Sequence, residues 1–270
     1  MNFPALKSLA FLLISTLPAL GHEFWISPQS YQIEAGENIV ADLRVGQNFS
    51  GAAFGFIPPN FVRFELVSGA TTVPVKGRIG DRPALNMAAP DEGLWVVVHE
   101  TTDSLLTWAS WDKFVSFVDH KKLDNTLELH AERGLSQDGV KERYRRFAKA
   151  LVAVGAGEGQ DREVGLRTEI VAGANPYIDN ITNGLPVLVL YEGAPRPVAQ
   201  IEVFDRDPSG EVTTFTLMTD AEGRADIPVE PGHEYLLDAV KMLPLYPDDP
   251  ANEPVWESLW AALTFRVPGQ

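Results

Sequence analysis

The sequence predicts a mostly β protein. It reads as two β-sandwich domains, immunoglobulin-like or prealbumin- or Cna-B-like, with one short helical insertion in the first. Three observations carry this. Short apolar runs recur along the chain, separated by Gly, Pro, Asn and Asp. Several of these runs alternate apolar and polar residues, the period of a strand with one buried face. Helical periodicity is pronounced in a single segment, Trp111–Leu123, where Phe114, Phe117 and Val118 share a face.

The elements follow in order. Tyr31–Ile33, the turn Glu34–Ala35–Gly36–Glu37 and Ile39–Val45 read as strand, turn and strand. Phe61–Leu66 alternates, and Val73–Val75 and Leu94–His99 are further strands. Glu142–Val154 mixes two signals: Tyr144, Phe147 and Leu151 suit a helix, while Ala148, Ala150, Val152 and Val154 alternate. The expectation is a helical turn leading into a strand. Beyond Gly184 the pattern is all β, with strands at Pro186–Tyr191, Ala199–Phe204, Val212–Met218, Ala225–Val229, Glu234–Val240 and Ala262–Val267. The turns Asp205–Arg206–Asp207–Pro208–Ser209–Gly210, Thr219–Asp220–Ala221–Glu222–Gly223–Arg224 and Pro231–Gly232 separate them. Asn175–Pro176 and Asn183–Gly184–Leu185–Pro186 place a junction near residues 172–185. The expected domains are therefore 22–175 and 176–270.

Residues 1–21 have the form of a secretory signal. Lys7 is the single charge, the apolar run Leu9–Ile14 follows, and Ala19–Leu20–Gly21 supplies the small residues of a cleavage site. The run is too short for an ordinary transmembrane helix. The expected mature chain is exported, periplasmic and without stable membrane insertion. It begins at His22.

Composition removes several functions. The chain of 270 residues has 22 Lys+Arg against 37 Asp+Glu, a net charge of −15. Such a surface repels phosphate backbones, so nucleic acid is not an expected partner. With no Cys, disulfides, thiol nucleophiles and Cys-based metal sites are excluded. The sequence holds no Gly-x-Ser-x-Gly nucleophile motif, and Gly155–Asp161 lacks the Lys-Ser/Thr ending of a phosphate loop. An enzyme is not expected.

Cleavage before His22 would place a free α-amine and an imidazole on one residue. Together they form a chelating pair suited to copper, nickel or zinc. The remaining histidines are His99 at a strand end, His120 at the end of the helical segment, His130, and His233 in the Pro231–Gly232 turn. None has the His-x-x-x-His spacing of a strong metal motif. His99 and His120 are the expected partners of His22, with His130 next and His233 a solvated turn residue. Trp256 and Trp260, at i and i+4, suit one face of a helix. Asp205, Asp207, Asp220 and Asp226 lack calcium-loop spacing and read as turn acids.

Further segments carry a resemblance. They are His22–Glu23–Phe24–Trp25–Ile26, Tyr144-x-x-Phe147–Ala148–Lys149–Ala150–Leu151, Glu169–Ile170–Val171 with Asn175–Pro176–Tyr177, Thr219–Asp220-x-x-Gly223, Tyr235–Leu236–Leu237–Asp238–Ala239–Val240 and Trp256–Phe265. The chain resembles the DUF4198 family of exported bacterial proteins across essentially its whole mature length. Relatives are grouped with substrate-specific components of nickel and cobalt uptake. The resemblance therefore implies a periplasmic metal-handling role with a membrane transporter component as partner. The expected ligand is a divalent transition metal, nickel, cobalt or copper ahead of zinc, held by His22, His99, His120 and His130. Two alternatives stay open: a structural, carbohydrate-binding or protein-binding sandwich module, and a copper-dependent oxidase built on an N-terminal histidine brace.

Overall fold

The computed structural model describes residues 22–123 and 125–269. Residues 1–21, read from the sequence as an export signal, lie outside them. Strands run β1 (Glu23–Pro28), β2 (Gln32–Ile33), β3 (Asn38–Gln47), β4 (Ser50–Phe54), β5 (Phe61–Ser68), β6 (Thr71–Pro74), β7 (Leu85–Ala88), β8 (Gly93–Thr101) and β9 (Ser104–Thr107). Two helices follow, α1 (Trp111–His120) and α2 (Thr126–Glu132). The remaining strands are β10 (Lys141–Val154), β11 (Thr168–Ala172), β12 (Leu185–Tyr191), β13 (Ala194–Pro195), β14 (Gln200–Arg206), β15 (Val212–Met218), β16 (Arg224–Ile227), β17 (Glu234–Pro244) and β18 (Trp256–Arg266).

The mostly β expectation holds, and the strands form three sheets. The first joins β1, β3 and β4, with β7 also on β3. The second has ten strands in the order β15-β14-β17-β18-β10-β8-β5-β6, with β2 and β9 also on β10. The third joins β11, β12 and β13, with β16 on β12.

The ten-stranded sheet is the middle layer, and side-chain alternation shows why. In β10, Ala148, Ala150, Val152 and Val154 point to one face and pack with Phe24, Trp25 and Ile26 of the first sheet. Phe147 and Leu151 point to the other face and pack with Ile170, Val187 and Val189 of the third. A strand buried on both faces loses its apolar/polar alternation. That is why Glu142–Val154 mixed two periods; the expected helical turn is absent and the segment is one strand.

The expected separation at residues 172–185 is also corrected. β10 pairs in parallel with β18, from Glu142↔Trp256 to Ala150↔Thr264, so strands from both sides of the junction share the middle sheet. β11, which precedes the junction, pairs with β12, which follows it. The two sandwich cores are real, but the middle sheet is common to both.

The helical insertion is two helices rather than one. The Ser110 hydroxyl caps α1 by accepting from the Lys113 N–H at 3.4 Å. Phe114, Phe117 and Val118 then pack over Val240, Trp256 and Trp260 of the middle sheet. Trp256 and Trp260 share a face as expected, but as residues of β18, because i and i+4 also align in a strand.

Candidate metal centre

His22 stands immediately before β1 and is exposed. Its carbonyl accepts a hydrogen bond from Arg146 Nη2 at 3.0 Å. His99 lies on β8 and faces the first sheet with Phe64 and Trp95. The rings of Phe24, Phe61 and Phe64 surround it, with centroids 5.1, 5.4 and 5.0 Å away. Burial lowers its pKa from 6.5 to about 3, so the imidazole is neutral at physiological pH. Its Nδ1 is buried without a hydrogen-bond partner. His22 and His99 line one cavity of about 510 Å³, together with Tyr144 and Arg146.

The other two expected ligands are engaged elsewhere. His120 is 40% exposed, and its Nε2 lies 3.0 Å from Glu202 Oε1. His130 is buried in α2. Its Nδ1 accepts from Trp256 Nε1 at 3.0 Å, and its Nε2 faces the Ser136 carbonyl at 3.1 Å, so that nitrogen donates. Both ring nitrogens are spent, and His130 has no lone pair left for a metal. The four histidines therefore do not form one ligand set. His233 is half-buried rather than solvated, with Nδ1 2.7 Å from Asp205. Asp207 and Asp220 accept backbone N–H groups of their own turns, as expected of turn acids.

Among the described residues, the group of three metal-type donors that converges within 4.8 Å is Glu23, Glu202 and Asp238. It was not foreseen from the sequence. Glu23 comes from β1, while Glu202 of β14 and Asp238 of β17 sit opposite each other on the middle sheet. A cation already stands among them. Lys121 Nζ, just past α1, lies 2.6 Å from Glu202, 2.7 Å from Asp238 and 3.5 Å from Glu23. It also lies 5.1 Å from the centre of the Trp260 ring. Burial favours the neutral amine, but the three carboxylates outweigh it and hold the Lys121 pKa above its ordinary range. Burial raises Glu23 to about 7 against the pull of Lys121, and raises Asp238 as well. One signal in the sequence pointed here: charged residues inside apolar strand runs, such as Asp238 within Leu236–Val240.

The family model described as Domain of unknown function (DUF4198) matches residues 19–242. Among solved structures, the chain is similar to a tetra-tandem repeat in the extending region of a large adhesion protein. Identity is 11% and the TM-score 0.23, over 91% of this chain and 49% of that one. It is similar to the D0-D1 domain of intimin at 16% identity and TM-score 0.22, over 90% of this chain and 97% of that one. It is similar to trypsin-activated alpha-2-macroglobulin from Escherichia coli at 12% identity and TM-score 0.22, over 91% of this chain and 16% of that one. The chain thus spans about half the length of the first of these. No curated protein matches.

Proposed function

The chain belongs to the DUF4198 family, and we propose that its exported form binds a divalent transition metal as a periplasmic metal-handling protein. The metal is nickel, cobalt or copper ahead of zinc, and the ligands are His22 and His99. The observation that carries the reading is the shared cavity, whose wall contains both histidines. Cleavage after Gly21 turns the His22 amide into a free amine. The amine and its own imidazole then chelate, and His99 adds a second imidazole. Metal binding needs deprotonated ligands, and burial already keeps His99 in that form. The Arg146 hydrogen bond ties the His22 backbone beside the cavity.

The role is binding and delivery rather than catalysis, and a membrane transporter component is the partner that would receive the metal. Calorimetry with Ni²⁺ and Cu²⁺ tests the ligand set on four chains: the chain starting at His22, that chain with one added N-terminal Gly, His22→Ala and His99→Ala. The added Gly separates the amine from the imidazole chelate, so both it and His22→Ala should weaken binding strongly. His99→Ala should weaken it as well. Equal affinity in all four overturns the reading.

A further inference from the structure

A second cavity, of about 290 Å³, also has His22 in its wall. Trp108, Trp260, Tyr144 and Leu106 give it apolar sides, and Lys113 and Arg146 give it positive charge. Arg146 also lines the cavity that His22 shares with His99. Its guanidinium stacks 4.6 Å over the Tyr144 ring. One arm donates to the His22 carbonyl, while Nε is buried without a hydrogen-bond partner. The carboxylates of Asp238 and Glu23 act on it only through space.

The Arg146 guanidinium is half-buried and no carboxylate is hydrogen-bonded to it, and its planar fork matches a carboxylate. The pocket is small by the standards of ligand sites and has the usual pattern of apolar walls with few polar groups. Glu142 also lines it, but its carboxylate is turned to Trp108 Nε1 and the Ser258 hydroxyl. Burial raises the Glu142 pKa to about 7, which limits its repulsion of an anion near neutral pH. We infer that this cavity binds a small organic carboxylate with a single-ring or similarly compact apolar body. The carboxylate pairs with Arg146, and the body lies against Trp108 and Trp260. The inference does not depend on metal binding at His22 and His99.

Benzoate, acetate and benzyl alcohol are suitable probes: both features of the ligand, the charge alone, and the ring alone. Each is titrated into the metal-stripped chain starting at His22. Tryptophan emission, to which Trp108 and Trp260 contribute, is followed alongside calorimetry. Benzoate should bind with one site, at least tenfold more tightly than either acetate or benzyl alcohol. Arg146→Gln should lose at least tenfold for benzoate and little for benzyl alcohol. Benzyl alcohol matching benzoate on the unaltered chain overturns the inference, whether or not Arg146→Gln folds. So does a folded Arg146→Gln chain with unchanged benzoate affinity. Benzoate that binds only after Ni²⁺ is added also overturns it, and assigns the anion to the metal instead. Benzoate bound by a chain that takes up none of Ni²⁺, Co²⁺, Cu²⁺ and Zn²⁺ sinks the metal reading and leaves this one standing.

Discussion

The ammonium of Lys121 lies 2.7 Å from the carboxylate of Asp238, and both side chains are buried. Glu23 and Glu202 complete a cluster that joins the end of α1 to strands of two sheets. Lys121→Met leaves three buried carboxylates without their cation. The expected loss of stability at neutral pH is about 3–5 kcal/mol, the usual cost of breaking a buried pair. Removing the cation raises the Glu23 and Asp238 pKa values further, so the folded variant holds protons that the unfolded chain releases. Its deficit should therefore shrink as pH falls from 7 to 5. Urea unfolding at both pH values checks this, and a deficit that grows on acidification would contradict the account.

His99 supplies an acid-sensitive contribution of its own. Its pKa is about 3 in the folded chain, against 6.5 for an ordinary histidine. Between those values the unfolded state binds more protons. The contribution is complete above ~6.5 and is lost as pH falls, by roughly 1.4 kcal/mol per pH unit. His99→Leu keeps an apolar side chain within the ring of phenylalanines and removes the titration. The variant should show a shallower fall in stability between pH 6 and 4. Parallel curves for the two chains would rule this out.

Glu142 carries the opposite sign. Burial raises its pKa from 4.5 to about 7, so the folded state binds more protons over that interval. Stability is lost as pH rises through it. Glu142→Gln still accepts from Trp108 but gives up the Ser258 hydroxyl as a donor. Relative to the unaltered chain, the variant should gain on going from pH 5 to pH 8. Thermal melts across that range measure the difference, and an unchanged difference would show that Glu142 does not titrate as described.

The proposed ligand requires export. The segment before His22 and the small residues Ala19 and Gly21 predict cleavage after Gly21. Intact-mass measurement of the secreted chain should show His22 as the first residue. Cleavage elsewhere would remove the amine chelate from the proposed site.

Lys149 offers a check on the buried-charge argument away from the candidate site. Its ammonium meets Asp161 at 2.8 Å and Glu169 at 2.9 Å, all three buried, on the opposite face of the middle sheet. Lys149→Met should cost about 3–5 kcal/mol in chemical unfolding while leaving Ni²⁺ affinity unchanged. A loss of metal binding in a folded Lys149→Met chain would mean that the two faces are coupled.

The sequence by itself determined the strand class, most of the turns and a helix within Trp111–Leu123, because each rests on local periodicity and turn residues. Phe61–Leu66 alternates because β5 buries Phe64 and Leu66 in one core, while Arg63 and Glu65 on its other face form a half-buried ion pair. The sequence also named His22, His99, His120 and His130 as candidate ligands. Only the tertiary structure decided that His22 and His99 share a cavity, that His130 is satisfied by Trp256 and Ser136, and that Lys121 sits among three carboxylates. It alone showed the common middle sheet, since the parallel register of β10 and β18 joins segments far apart in the chain. The physical reason is the same in each case. Local patterns record which side chains avoid water, whereas pairing between distant strands decides which buried groups meet, and a buried charge or imidazole takes its chemistry from the groups it meets.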